Sequence, residues 1–135
     1  MIHGIRVEDG KALWYKNKFV TSPFGFGPNT HVLKHGEKIY ALVEGGVSPV
    51  IMDSEMNFLE EEPFPAADNK RFTAHPKIDS DTGEMHAVSY DFGEYVNGLG
   101  QVHYVTIDSN GKLIKDQIIE TPSRPMVHDL SLIHI

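Results

Sequence analysis

Short stretches of this chain alternate apolar and polar residues with a period of two, the signature of half-buried strands, and tight turns separate them. The pattern runs over residues 2–7 and returns over 13–20, with Glu8-Asp9-Gly10 between as a hairpin signal. Residues 30–33 and 39–43 repeat it around the turn Lys34-His35-Gly36-Glu37, and Gly45-Gly46 closes that unit. Short strands are expected at 50–53 and 85–90. A third hairpin joins 101–107 to 113–119 through Asp108-Ser109-Asn110-Gly111. The glycine- and proline-bearing segments 21–28 and 91–100, and the acidic 59–69, read as loops. No segment carries a helical period. Turn signals at roughly 8–12-residue spacing point to an all-β sandwich, barrel or propeller. No internal repeat singles out the propeller.

Composition narrows the function classes. The 135 residues suffice for one ordinary domain. Hydrophobic residues make up 40% and charged residues 23%, which is globular rather than disordered. The net charge of −7, with no Lys/Arg-rich run, argues against a nucleic-acid footprint. The absence of cysteine excludes disulfides, zinc–thiolate sites and a cysteine nucleophile. It also fits a reducing compartment, and the expected localisation is cytoplasmic. No apolar run approaches the ~20 residues of a membrane span, and no signal-peptide pattern opens the chain. The last six residues, Leu130-Ser131-Leu132-Ile133-His134-Ile135, form an apolar stub without turn, cap or charge. They resemble the read-through of a sequencing-library transposon end. Residues 130–135 are therefore expected to be a non-native tail, and His134 is given no role.

The eight histidines are the unusual count, because imidazole is the commonest metal ligand. His35 falls in a turn and is expected to be solvated. His3, His31, His86 and His103 fall on strands and are expected to be structural. His75 and His128 differ. Each follows a small or apolar run, and each sits beside a residue that restricts or polarises it, Pro76 or Asp129. Proline fixes its own φ and biases the preceding residue towards extended geometry, so His75 is expected at a rigid strand end suited to a metal ligand. Their wide separation is not itself a motif; zinc helices place two histidines four residues apart. Glu44 ends the apolar run Ala41-Leu42-Val43. It is either an exposed strand end or a carboxylate that orients a ligand imidazole through its other nitrogen. Asp79-Ser80-Asp81-Thr82-Gly83 looks like the start of a calcium loop, but the twelfth position is Tyr90 instead of Glu, and a hairpin turn is expected.

Taken in order, several stretches resemble the carotenoid cleavage oxygenase family, which includes apocarotenoid and lignostilbene oxygenases and the retinal-pigment-epithelium isomerase. Met1-Ile2-His3-Gly4-Ile5-Arg6 with Asp9-Gly10, and Trp14-Tyr15-Lys16-Asn17-Lys18-Phe19-Val20, match its opening hairpin. Asn29-Thr30-His31-Val32 and Ala41-Leu42-Val43-Glu44-Gly45-Gly46 match the next. Thr73-Ala74-His75-Pro76-Lys77, followed by Asp79 and Thr82-Gly83-Glu84-Met85-His86, is the most specific piece, and Met126-Val127-His128-Asp129 closes the set. The resemblance implies a seven-bladed β-propeller with Fe(II) on its axis, held by four histidines. It implies that His75 and His128 are two of those ligands, and that Glu44 is a carboxylate supporting a ligand, His128, from outside the coordination sphere. The remaining ligands would lie outside this chain. Residues 1–129 are then expected to be a fragment of two to three blades. The chemistry implied is oxidative cleavage of a C=C bond by O2 into two carbonyl products, with no protein acid or base assigned.

The substrate class implied is an apolar polyene or a stilbenoid. Stilbenoid-cleaving members carry a lysine directly before the glutamate, where this chain has Val43, which tilts the expectation towards carotenoids or apocarotenoids. Loop 21–28 is shorter than in many members, and Leu130 stands where the family usually has Phe. Peripheral membrane contact through a nonpolar patch is a family habit, although this chain displays no clear patch. An isomerohydrolase of the same family and a non-catalytic β-rich interaction module without metal are the alternatives. The latter predicts no specific Fe(II) binding.

Overall fold

The computed structural model describes residues 2–18, 28–44, 49–59, 70–91, 102–122 and 128–131. These form ten strands and no helix, hence none able to cross a membrane. β1 (Ile2–Glu8) and β2 (Lys11–Lys18) pair antiparallel. Asp9 at φ 49° and Gly10 at φ 73° give the two positive φ values of a type I′ turn, as the Asp-Gly pair predicts. β3 (His31–His35), β4 (Lys38–Leu42) and β5 (Val50–Met52) form a three-stranded antiparallel sheet in that order. β6 (Lys70–Phe72) and β7 (Lys77–Ile78) both pair with β8 (Met85–Asp91). β9 (Val102–Ile107) and β10 (Leu113–Ile119) complete that sheet, ordered β10-β9-β8-β6. The loop 21–28 apart from Pro28, most of 59–69 and of 91–100, the segment 123–127 and residues 132–135 lie outside the described residues.

The two larger sheets meet face to face. Tyr40, Leu42 and Ile51 from the three-stranded sheet pack against Phe72, Ala74, Met85, Ala87, Val105 and Ile107. Alternation explains each half, since residues two apart on one strand share a face. Val88 and Val102, on the opposite face of the larger sheet, are also buried and pack with Leu130. The central strands are thus covered on both sides. The described residues are all β, and a four-stranded antiparallel sheet stacked between layers is how a propeller blade is built.

Turns lock the two sheets at one end. The β3–β4 hairpin is tighter than the sequence suggests: His35 pairs with Lys38, which leaves only Gly36 and Glu37 in the turn. His35 is therefore a strand residue, and it is buried rather than solvated, correcting the expectation. Its Nε2–H donates to the Gly83 carbonyl at 2.8 Å, across to the β7–β8 turn. That turn is the hairpin expected over 79–83. The Asp79 carboxylate is taken up by the Asp81 and Thr82 backbone N–H groups at 2.7 and 3.3 Å. The β9–β10 turn repeats the device, with Asp108 accepting from the Asn110 and Lys112 N–H groups at 3.0 and 2.8 Å.

Two outcomes follow from these turns. A Cβ on Gly36, at φ 58°, would stand 2.7 Å from the Ser109 carbonyl oxygen, whereas one on Gly10 would meet nothing. Both substitutions to Ala incur left-handed strain of about 1–2 kcal/mol, but only G36A must also move backbone. G36A should lower the thermal midpoint further than G10A. The backbone N–H of Lys112, followed by that of Asn110, holds the Asp108 carboxyl below its ordinary value. A depressed folded-state pKa contributes stability above the unfolded value, which is lost as pH falls through the folded one. D108N keeps an acceptor oxygen without the charge, so acid denaturation curves of D108N should be shallower than those of the parent.

Candidate metal centre

The site begins as an irregularity in one strand. Phe72 pairs with Ser89 and Lys77 with His86, so four residues, 73–76, stand opposite two, 87 and 88. This is a β-bulge with two residues too many, the kind of device that re-aims a side chain. Pro76 helps to enforce it, because a residue without an N–H cannot bond into the ladder. His75 accordingly lies within a bulge between β6 and β7 rather than at the end of a strand. Ladder bonding continues as far as the Thr73 N–H, which donates to the Val88 carbonyl at 3.2 Å.

Beyond Thr73 the backbone is buried and out of register, and Thr73 and Ala74 are each 0% exposed. Buried backbone polar groups need partners. Here side chains supply them. The Ala74 N–H donates to Glu44 Oε2 at 2.7 Å. The Ala74 carbonyl accepts from His31 Nδ1–H at 2.8 Å. The His75 N–H donates to Thr73 Oγ1 at 3.0 Å. The Thr73 hydroxyl has one proton to give. Glu44 Oε2 at 3.1 Å is nearer than the His128 carbonyl at 3.4 Å and carries charge, so it takes the proton. His31 and Glu44 both come from the three-stranded sheet, at the start of β3 and just after β4.

Held this way, His75 faces His128, with ring centroids 4.6 Å apart and planes at 45°. Glu44, His75 and His128 each offer one donor atom, and these atoms lie within 4.8 Å of one another. His128 is exposed, while His75 and Glu44 are half-buried. Glu44 Oε1 is buried without a hydrogen-bond partner. An orphaned carboxylate oxygen beside two imidazoles suits either a cation or an imidazole N–H turned towards it by one. Neutral imidazoles fit a divalent transition metal. On the outer side, Lys77 Nζ lies 2.8 Å from Asp129 Oδ1, bridging the residues that flank the two histidines. That lysine, followed by the Leu130 N–H, holds the Asp129 carboxyl below its ordinary value.

The structure therefore brings together Glu44, His75 and His128, the residues singled out in the sequence. Two of the strand histidines, His86 and His103, stand apart from them, whereas His31 lies beside His75. His86 bonds the Tyr104 hydroxyl at 2.6 Å and His103 bonds Asp116 at 2.7 Å, both as buried structural groups. The His3 side chain and His134 lie outside the described residues. Sequence reasoning missed Thr73 and His31. A hydroxyl two residues before His75 is a signal for a local side-chain turn; His31 offered none, because its partner sits 43 residues away.

The family described as "Retinal pigment epithelial membrane protein" matches residues 27–132. A carotenoid cleavage oxygenase of Mycobacterium tuberculosis (strain CDC 1551 / Oshkosh) is 34% identical over 152 residues, covering 98% of this chain and 30% of its own length. The carotenoid 9,10(9',10')-cleavage dioxygenase 1 of Pisum sativum is 31% identical over 97% of this chain and 24% of its own. The crystal structure of Pseudomonas brassicacearum lignostilbene dioxygenase superposes with a TM-score of 0.64 at 33% identity, over 80% of this chain and 22% of that one. The chain thus spans under a third of the length of the relatives it matches.

The bulge makes a quantitative prediction. E44A strands the buried Ala74 N–H, which should cost about 1–3 kcal/mol. T73V removes the hydroxyl that serves both Glu44 and the His75 N–H. The two share partners, so a double-mutant cycle by urea denaturation should give a coupling of about 0.5–3 kcal/mol. Strict additivity would mean that they act separately.

Proposed function

The chain belongs to the retinal pigment epithelial membrane protein family, the carotenoid cleavage oxygenases, and from that premise we propose that it is part of an iron(II)-dependent dioxygenase that splits a carbon–carbon double bond into two carbonyl products. The observation that carries this reading is the convergence of His75 and His128 beside Glu44, whose free oxygen is buried. His75 and His128 would hold the metal, together with histidines outside these residues. Glu44 would orient the His128 ring from outside the coordination sphere. When bound, ferrous iron supplies the activation of O2.

What this chain's residues do is positional. The bulge aims His75, Glu44 ties it to the neighbouring sheet, and the Lys77–Asp129 pair keeps the His128 segment alongside. No residue at the site is needed as a general acid or base, because both product oxygens come from O2. The substrate in this reading is an apolar polyene, a carotenoid or apocarotenoid. Val43, half-buried directly before Glu44, offers no cation to a phenol oxygen. That favours the polyene over a stilbenoid.

The test is metal binding by the complete protein that contains this chain. The parent should retain one iron per protomer after desalting, and the H75A and H128A variants should each lose it. Stoichiometric iron in either variant would remove that histidine from the ligand set. The iron-loaded parent should convert an apocarotenoid to two carbonyl fragments, each carrying one atom of labelled oxygen gas by mass spectrometry.

A further inference from the structure

The peptide that joins Ala74 to His75 is gripped at both edges, and neither grip belongs to the sheet ladder. Its N–H, on His75, is held by Thr73 Oγ1 at 3.0 Å. Its C=O, on Ala74, is held by His31 Nδ1 at 2.8 Å. The orientation of this one peptide plane sets φ of His75, and hence the direction in which its Cα–Cβ bond leaves the backbone. Thr73 acts from inside the bulge and moves with it. His31 acts from β3, in the neighbouring sheet, and supplies an external anchor. Its ring also lies 6.3 Å from that of His75, with planes at 28°, so it flanks the imidazole as well as the peptide.

We propose that His31 is a positioning residue for His75: by donating Nδ1–H to the Ala74 carbonyl it fixes the peptide plane that aims the imidazole at the metal. This rests on the reading of His75 as a ligand given above. The chemistry fixes the tautomer. A carbonyl only accepts, so Nδ1 carries the proton, and the lone pair of the neutral ring is on Nε2. His31 is exposed and is not one of the residues of the buried core. Groups that orient a ligand from outside the coordination sphere typically change metal affinity by about 10–100-fold when removed.

The experiment uses the complete protein and three variants. H31N keeps an amide N–H near the position of Nδ1, H31L removes the donor, and H31Q carries its amide one methylene too far. Two readouts are taken on each: iron affinity by competition with a chelator, and the electron paramagnetic resonance spectrum of the iron(II)–nitric oxide adduct. The expected result is a ~10–100-fold weaker affinity and an altered, broadened spectrum for H31L, with H31N close to the parent in both. Should H31L not fold, H31Q takes its place with the same expectation. A purely structural histidine would lower the melting temperature and leave the spectrum of the folded protein unchanged, which would overturn the proposal. Parent-like affinity and spectrum in H31L would overturn it as well. Failure of the parent itself to bind iron would instead overturn the functional reading, so the two failures are distinguishable.

Discussion

Two surplus residues in the strand opposite β8 are the constraint on which the rest of the site depends. An ordinary antiparallel ladder would bond alternate residues of this segment to β8 and alternate their side chains across the sheet. The bulge breaks that arrangement in a place where water cannot compensate, since Thr73 and Ala74 are fully buried. An unpaired buried amide is costly, on the order of 1–3 kcal/mol. The broken ladder is therefore tolerated only because Glu44, Thr73 and His31 occupy the freed groups. Two of these contacts, from Glu44 and His31, also tie the His75 segment to a second sheet, so local strand chemistry and the joining of two layers are one event.

This dependence explains why the site lies between sheets. His75 comes from the larger sheet, its supports from the smaller, and His128 from a segment that packs against the larger sheet through Leu130. None of these elements could hold a metal ligand rigidly alone. The face-to-face core of Tyr40, Leu42 and Ile51 against Phe72, Met85 and Val105 keeps the sheets in register. The turn contacts at one end, with His35 reaching the Gly83 carbonyl, restrict sliding. The exposed Lys77–Asp129 pair is screened by solvent and matters for alignment more than for stability.

Much of the fold was legible because turns announce themselves. Asp9-Gly10 and Asp108 to Gly111 placed two hairpins within a residue or two of their observed limits, and 113–119 matched β10. β6 and β7 were not legible. At three and two residues, split by the bulge, they are too short to display a period. His35 was misread because a four-residue turn was assumed where the register leaves only two, and the shorter turn moves His35 into the strand and inwards. At the site, Glu44, His75 and His128 could be singled out from their immediate neighbours in sequence. His31 could not, because its role exists only once a register between strands and a stacking of sheets bring it to Ala74.

The central claim is that the bulge aims His75 at an ion shared with His128. Anomalous diffraction at the iron edge, from crystals of the iron-loaded complete protein, tests it most directly. The account predicts a single strong peak within bonding distance of one nitrogen of His75 and one of His128, with Glu44 outside bonding distance and the Ala74 carbonyl still on His31. A peak bound to Glu44 and not to His75, or iron located away from both histidines, would contradict it.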